Sequence, residues 1–281
     1  MSESPLGLWS CTNSEYHACH EAIGHSMIDC FRDSVLDYEA RYVSGTTPPD
    51  EPTDAMRLGT ALHALVLEPE NFEDLIAVGP DCDRRSNANK DRWAEFEAAH
   101  PSHTILKPEQ LVQVQQMRDS LRHNPFAAQL LAGAGRREQA IRWRDAPTEL
   151  TLKARFDLVL DARIIVDVKT TSSLAGWRWR NTVNDRGYPR QAAHYIEGYR
   201  VTWACPGQGQ HLHMVFTSEP PYEVAVFTLD ADALMLGAQQ NRKALDELAA
   251  CYASGEWVSR HAGKIVSVSL PKYCFYDEEN Q

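Results

Sequence analysis

The chain has 281 residues, of which 43% are hydrophobic and 24% charged, and its formal net charge is −11 at pH 7. A chain of this length can bury a substantial core. Its negative charge argues against a surface that coats nucleic acid indiscriminately, although a local basic groove or a basic channel made by oligomerisation stays open. The seven cysteines are scattered without a Cys-x-x-Cys pair, which indicates neither a zinc ribbon nor a disulfide framework.

The sequence carries no sign of a membrane or export segment. Its N-terminus lacks a basic start followed by an apolar run, and no stretch approaches the length of a membrane span. We therefore expect a cytoplasmic protein whose cysteines stay reduced.

The first third of the chain is predicted to be helical, because apolar residues recur there at helical intervals. Helices are expected over residues 26–42, 54–67, 90–99 and 108–123, with a shorter helical piece up to residue 131. A loop rich in glycine and proline over 45–52 separates the first two. Asp54 stands where it can cap the second helix.

The hydrophobic period changes to that of strands near residue 138. Strands are expected over 138–144, 150–160 and 163–170, the last two joined by a tight turn. A helix over 187–199, strands over 211–217 and 222–229, and a long amphipathic helix over 231–253 follow. No linker is visible, so we predict one α/β domain, with a mainly helical portion over 1–132 and the core over 133–281.

Two carboxylates and a lysine interrupt the apolar pattern of the paired strands. Asp167 and Lys169 lie two positions apart in one strand and must project to the same face, and the neighbouring strand can bring Asp157 beside them. Two acids and a lysine on one sheet face suit Mg²⁺ binding, with the lysine touching a bound water or a phosphate. The pattern is typical of phosphodiester cleavage. The alternative is that these groups are solvated or paired with each other near strand ends.

Two further residues could extend this acidic site. His63 lies four residues after Gly59 on one helical face, where glycine allows the close approach of another backbone and a neutral imidazole can complete a metal shell. Glu138, at the start of the preceding predicted strand, could bind a second metal or its water. The alternatives are an ordinary core or surface histidine and a solvated carboxylate at a strand end.

Gln191 and Tyr195 share one face of the 187–199 helix. Glutamine can hold a nucleotide or a metal water, and tyrosine can stack on a base or bond a phosphate. Taken alone, the pair could equally belong to an ordinary helix face.

The densest basic and aromatic segment is Trp177-Arg178-Trp179-Arg180. Cations interleaved with rings suit nucleic-acid contact, whereas a helix that buries its tryptophans and solvates its arginines is the alternative. The candidates for DNA contact are Arg178, Arg180, Arg186, Arg190, Lys153 and Arg155.

The ordered series of motifs resembles the PD-(D/E)XK nuclease superfamily in its RecB-like branch. The series is Gly59-x-x-x-His63, Glu138, Asp157, Asp167-x-Lys169 and Gln191-x-x-x-Tyr195. Within that branch, the runs over 59–69 and 166–171 most resemble the RecE, or exodeoxyribonuclease VIII, family of phage and prophage recombination exonucleases. The segments over 16–18 and 25–27 resemble the opening of that family, although Gly24 stands where a serine-like residue is expected.

The resemblance implies a fold and an activity. The fold is an α/β nuclease core, a mixed central sheet flanked by helices, with a helical N-terminal portion. The activity is Mg²⁺-dependent digestion (Mn²⁺ as a substitute) of the 5′-ended strand of linear double-stranded DNA, which leaves a 3′ single-stranded tail. The implied partners are DNA ends, further copies of the chain in a ring-shaped homo-oligomer and a RecT-like single-strand annealing protein. No membrane partner is implied, and the implied location is the cytoplasm of a bacterial host.

The resemblance also implies a role for each motif residue. His63, Asp157, Asp167 and the backbone carbonyl of Val168 would bind metal. Glu138 would assist a second metal, and Lys169 would orient and activate the attacking water. Gln191 and Tyr195 would support the site and the scissile nucleotide.

Related nucleases with an iron–sulfur cluster need four cysteines, three of them near the C-terminus. Only Cys251 and Cys274 lie there, so no cluster is expected. Two other functions stay open: a structure-specific or restriction-type endonuclease of the same superfamily, and a non-catalytic module that binds DNA ends for recombination.

Overall fold

The computed structural model describes residues 6–161, 163–204 and 209–270. It is an α/β structure in which a mixed six-stranded sheet is flanked by helices, as predicted. Among the described residues, no helix is long and apolar enough to cross a membrane.

Between residues 6 and 132 the described chain is mainly helical, with three short strands among the helices. Its elements are β1 (Gly7–Trp9), α1 (Asn13–Ala18), α2 (His25–Asp33), α3 (Val35–Tyr38), a π-helical turn (Glu39–Val43), α4 (Asp54–Leu67), α5 (Phe72–Leu75), β2 (Ile76–Val78), α6 (Asn87–Ala99), β3 (Thr104–Leu106), α7 (Pro108–Asp119) and α8 (Pro125–Ala132). Short 3₁₀ turns at Pro69–Asn71 and Ser120–His123 precede α5 and α8.

The described residues after 132 contribute five strands and three helices. They are β4 (Gly135–Arg144), β5 (Thr151–Leu160), β6 (Ile164–Thr171), α9 (Gly176–Asp185), α10 (Tyr188–Thr202), β7 (Gln210–Thr217), β8 (Val224–Thr228) and α11 (Ala231–Ser254). The main sheet has the order β1-β4-β5-β6-β7-β8; among these described strands the β6–β7 pair is parallel and the other neighbours are antiparallel. That pair is joined through α9 and α10, because parallel neighbours need a crossover connection.

The predicted helix over 26–42 is interrupted. Ser34 adopts an extended conformation, and its hydroxyl accepts a hydrogen bond of 3.1 Å from the Asp37 backbone N–H, so it ends α2 and caps α3. The predicted cap of α4 is also wrong. Thr53 accepts the cap bond from the Met56 N–H, and Asp54 instead pairs with Lys107 at 2.8 Å.

Helices cover both faces of the sheet. On one face α4, α7 and α8 pack over the apolar side chains of β6 and β7, such as Val166 and Met214. On the other, α2, α3, α10 and α11 pack over those of β4 and β5, such as Ile141 and Phe156. The strands that carry the acidic motif are therefore buried between helix layers, which limits solvent around it.

Candidate active site

The strands β5 and β6 separate where their acidic residues lie. Their pairing includes only Leu158 with Val166 and the two pairs beyond it towards the turn. Continued by one step, this register sets Asp157 against Asp167. The backbone N–H of Val168, one residue further along β6, donates a 2.7 Å hydrogen bond to the Asp157 carboxylate. Asp157 thus occupies a position that a sheet partner would otherwise take.

The polar residues of the site form a row across four strands. The β4–β5 register pairs Arg137 with Leu158 and Gln139 with Phe156, so Glu138 lies opposite Asp157 between them. The β6–β7 register pairs Asp167 with His213. Glu138, Asp157, Asp167 and His213 therefore succeed one another across the sheet.

Glu138 lies inside β4, not at its start, because the strand begins at Gly135. Its φ is +49°, a left-handed conformation that is uncommon for a residue with a side chain. Strained backbone in a strand often re-aims a side chain beside an active site. The carboxylate is only 16% exposed, so it is not the solvated group of the alternative interpretation.

Three of the predicted metal ligands come together. His63, Glu138 and Asp157, called here the outer cluster, offer ligand atoms that all lie within 4.8 Å of one another. His63 Nδ1 is 3.7 Å from an Asp157 oxygen and 4.0 Å from a Glu138 oxygen. Helix α4 positions His63 by burying Ala61, Leu62 and Ala64 against the core, which turns the histidine towards the strands.

The contact of the other His63 nitrogen shows that the outer cluster fits a cation. His63 Nε2 lies 2.9 Å from the Val168 carbonyl oxygen, which can only accept, so Nε2 carries a proton. In the neutral ring Nδ1 then presents a lone pair to two carboxylates. Three electron-rich atoms that converge in this way suit a divalent cation, which they would hold through one nitrogen and carboxylate oxygens. In this arrangement the Val168 carbonyl, itself a predicted ligand, accepts from His63.

The two carboxylates of the outer cluster resist ionisation. Burial, followed by the charge of Asp157, raises the pKa of Glu138 to about 7, despite the Arg155 guanidinium 2.8 Å away. Burial also raises the pKa of Asp157, and the nearby Asp167 charge adds to the effect. Both shifts reflect burial first and the charge of a neighbouring acid second, and a bound cation would lower both pKa values.

Asp167 is held on the other side of the site by Lys169. Their charged atoms lie 2.6 Å apart, which confirms that the two residues project together from β6. Burial alone would raise the pKa of Asp167, but the Lys169 ammonium lowers it below its usual range. Burial alone would lower the pKa of Lys169, but the charges of Asp167 and Asp157 raise it. Lys169 is therefore a firmly charged ammonium in the acidic row.

The predicted helix face of Gln191 and Tyr195 is present on α10. Gln191 Nε2 lies 3.3 Å from the Tyr195 hydroxyl and 3.4 Å from Asp167 Oδ1. The Tyr195 ring is 9% exposed and packs edge-on against Phe156 in the core. The sequence suggested that Tyr195 could stack on a base, but its buried ring cannot do so. Its hydroxyl instead supports Gln191.

Gly59 is not required by a close backbone contact, contrary to expectation. A methyl group added at Gly59 would meet only the Thr170 hydroxyl, at 3.8 Å, which is an ordinary contact. Another backbone comes close instead at Gly237 of α11, where such a group would meet the Pro189 carbonyl. Gly198 of α10 faces a side chain, and a methyl group there would lie 2.7 Å from the Trp143 ring.

The six basic residues proposed for DNA contact fall into two groups. Arg178, Arg180 and Arg186 are exposed on or just after α9. In that helix Trp179 is buried, whereas Trp177 remains 60% exposed, so the segment combines both interpretations.

The other three basic residues form contacts within the protein. Lys153 is 3% exposed and donates to the carbonyls of Tyr16 and Cys19, so its predicted role in contacting phosphate is wrong. Arg190 pairs with Asp29 at 2.6 Å. Arg155 pairs with Glu138 and donates to Asn13.

Sequence reasoning missed two buried histidines beside the site. His211 and His213 project from β7 to the face that carries Asp167, and His213 Nε2 is 3.8 Å from the Asp167 carboxylate. Burial lowers the pKa of His211 to about 3 and that of His213 to about 4, so both rings are neutral. The signal was present: two histidines at alternate positions of an otherwise apolar strand must share one face.

One expectation lies partly outside the described residues. Cys205 and Cys274 are not among them, and the five cysteines that the structure describes as free thiols are Cys11, Cys19, Cys30, Cys82 and Cys251. The expected absence of an iron–sulfur cluster stays a prediction.

The sequence matches a known protein family. The profile of the PDDEXK-like domain of unknown function (DUF3799) matches residues 24–270. The chain belongs to this family. Its fold and its family thus lie within the PD-(D/E)XK nuclease superfamily, whose members generally use divalent metal ions. No curated protein matches the chain in sequence.

Solved structures support the fold. A candidate exonuclease from Eubacterium rectale superposes with a TM-score of 0.64 at 12% identity, covering 95% of this chain and 98% of that one. At this identity the likeness shows the fold alone. The alignment with a phage-related exonuclease from Haemophilus somnus 129PT covers 86% of this chain and 99% of that one at 12% identity. Its TM-score of 0.32 is too low to indicate a shared fold.

Proposed function

We propose that this DUF3799 protein is a Mg²⁺-dependent exodeoxyribonuclease that digests the 5′-ended strand of linear double-stranded DNA. The observation that carries the proposal is the acidic row, Glu138, Asp157 and Asp167, with Lys169 beside it, at the point where β5 and β6 separate. Polarity, the 3′ single-stranded product and the recombination role rest on the resemblance to the RecE family.

The donor atoms of the outer cluster would hold the cation, and Asp167 would contribute from the neighbouring strand. A divalent cation supplies charge stabilisation to the phosphoryl and leaving oxygens and lowers the pKa of water. Mn²⁺ would substitute, because carboxylate and imidazole ligands suit it as well.

The residues of the chain then orient the reactants. The pairing with Asp167 fixes the position of the Lys169 ammonium. Its other N–H groups would donate to the scissile phosphate or to the attacking water. Gln191 fixes the other Asp167 oxygen, and Tyr195 in turn fixes Gln191. The burial of these groups limits water and strengthens their electrostatic effect.

The proposed assembly extends the same comparison. Further copies of the chain would form a ring around DNA, and a RecT-like annealing protein would receive the 3′ tail. A ring can gather the few exposed basic residues of α9 inside its channel. DNA binding is then compatible with the net charge of −11. The protein would act in the cytoplasm of a bacterial host.

The test is digestion of linear duplex DNA labelled at the 5′ or the 3′ end, with Mg²⁺ or with EDTA, beside a closed circular control. Loss of the 5′-ended strand from the linear duplex alone, only with Mg²⁺ and absent in Asp167→Asn, supports the proposal. Cleavage of the circle would make the protein an endonuclease. Binding of DNA ends without cleavage by the folded protein would make it a non-catalytic recombination module.

A further inference from the structure

A second group of side chains that could hold a metal ion shares Asp167 with the acidic row. It consists of Asp167, His211 and His213, called here the inner cluster. His211 is 4% exposed, His213 is 0% exposed and Asp167 is 1% exposed. His213 lies opposite Asp167 in the β6–β7 register, and His211, two residues earlier on β7, points to the same face.

The imidazoles of the inner cluster have no hydrogen-bond partners. All four ring nitrogens of His211 and His213 are buried and unpaired among the residues that the structure describes. A buried polar atom without a partner destabilises a fold, so four such atoms in one place require a ligand or a strong packing reason.

Aromatic rings pack against the inner cluster, and no residue in the described part of the chain forms a hydrogen bond with its ring nitrogens. The Tyr188 ring stacks on His213 with centroids 5.2 Å apart, and the Tyr195 ring lies 6.0 Å from that of His211. The two imidazole centroids are 4.7 Å apart. One nitrogen of each ring lies within 4.8 Å of the other and of an Asp167 oxygen.

The ligand atoms are close to the spacing that one ion requires. Those of Asp167, His211 and His213 all lie within 4.8 Å of one another, and the His213–Asp167 separation is 3.8 Å. Two ligands of a tetrahedral Zn²⁺, each about 2.0–2.1 Å from the metal, are roughly 3.4 Å apart. Small side-chain rotations would close this difference.

We propose that Asp167, His211 and His213 form a second, buried metal site for a divalent transition-metal ion such as Zn²⁺, Co²⁺ or Mn²⁺. Two imidazoles and one carboxylate favour these ions, whereas Mg²⁺ prefers oxygen ligands and keeps its waters. The site is distinct from the outer cluster, whose ligands lie on α4, β4 and β5.

Asp167 links the inner site to the proposed nuclease site. The carboxylate oxygen nearest His213 is the one that contacts Lys169. An ion in the inner cluster would share that oxygen with the ammonium, so only ions with strong affinity for imidazole nitrogen would compete. The inference goes beyond the proposed nuclease function, because metal binding here requires neither DNA nor cleavage.

The experiment measures binding of Co²⁺ to the full metal-stripped chain, by equilibrium dialysis and by visible absorption, with excess Mg²⁺ and without DNA. His211→Gln and His213→Gln test the inner cluster, and His63→Gln tests the outer one. His194→Gln is the matched control, because His194 is also buried (1% exposed) but already pairs with the Lys153 carbonyl at 2.9 Å.

We expect the wild-type, His63→Gln and His194→Gln chains each to retain an ion that raises their melting temperature. The inner-cluster variants should bind that ion at least 10-fold more weakly. Binding by His211→Gln and His213→Gln as tight as that of the wild type would overturn the proposal. So would loss of all bound Co²⁺ in His63→Gln.

A second measurement covers the case in which the inner-cluster variants do not fold. Pulsed electron paramagnetic resonance of Mn²⁺ bound to His63→Gln should detect nitrogen coupling from imidazole, because the outer cluster no longer contains a histidine. Absence of nitrogen coupling in that folded variant would refute the inner site.

Discussion

The Asp157 carboxylate accepts a 2.7 Å hydrogen bond from the Val168 backbone N–H. This bond crosses from β5 to β6 just beyond their last paired residues, and it anchors the first acid of the site to the strand that carries the other two motif residues. The geometry of the site therefore depends on where the two strands separate.

Asp157→Asn should reduce Mg²⁺-dependent cleavage by about 10²–10³-fold, because the amide keeps the Val168 bond but loses the charge that holds the cation. Cleavage of labelled linear duplex at saturating Mg²⁺ measures the effect. Asp161→Asn, in the exposed turn between β5 and β6, is the control and should retain full activity. Wild-type turnover by a folded Asp157→Asn protein would contradict the assignment.

The Asp167–Lys169 pair should show strong coupling in its contribution to stability. Lys169→Met leaves the buried Asp167 carboxylate without its cation and should lower the free energy of unfolding by about 3 kcal/mol. The double variant Asp167→Asn/Lys169→Met should lose less than the sum of the single losses. Urea unfolding of the four proteins gives the coupling energy, and additive losses would show that the pair acts as two independent groups.

Glu138 should make the metal-free protein less stable as the pH rises. Its folded pKa of about 7 lies above its ordinary value of 4.5, so between these values the folded state holds a proton that the unfolded state releases. The free energy of unfolding should fall across this window by about 3 kcal/mol.

Glu138→Gln isolates this contribution, because glutamine stays neutral. In EDTA, the stability of the wild type relative to the variant should decline between pH 4.5 and pH 7 and then level off. Parallel curves for the two proteins would mean that Glu138 ionises normally. Mg²⁺ should restore wild-type stability above pH 7 and affect the variant less.

The exposed arginines of α9 should contribute to DNA affinity. Arg178→Ala/Arg180→Ala should weaken binding of duplex DNA and flatten its dependence on salt, since each phosphate contact releases counterions. Arg122→Ala is the control, because Arg122 is also exposed but lies on the 3₁₀ turn beside α8. Unchanged affinity and slope in the double variant would leave α9 as an ordinary surface helix.

Gly59 and Gly198 should respond to alanine in opposite directions. Gly59→Ala should stabilise the protein by about 0.5–1 kcal/mol, because it improves helix propensity and meets only the Thr170 hydroxyl. Gly198→Ala should destabilise it by about 1–3 kcal/mol, because the methyl group would press on Trp143. Thermal unfolding of both variants decides, and a loss of stability in Gly59→Ala would restore a packing role for that glycine.

Most of the long elements could be predicted from the sequence, because their apolar periods are strong. The strands at 151–160 and 164–171 and the helices α4, α10 and α11 begin and end within a few residues of their predicted limits. The short elements could not. β1 has only three residues, and its pairing with β4 is a tertiary event that no local pattern encodes.

The sequence also determined which residues could form the site. Alternation in a strand requires Asp167 and Lys169 to share a face, and helical spacing requires the same of Gln191 and Tyr195; both pairs are in contact. These relations are local, so backbone geometry alone decides them.

The distribution of the site residues depends on contacts between distant parts of the chain. Register across four strands sets Glu138, Asp157, Asp167 and His213 in one row, and the packing of α4 brings His63 to the same place. It also removed Lys153 from the surface. These outcomes depend on residues far apart in the chain, because strand register and helix packing are fixed by burial of the whole core.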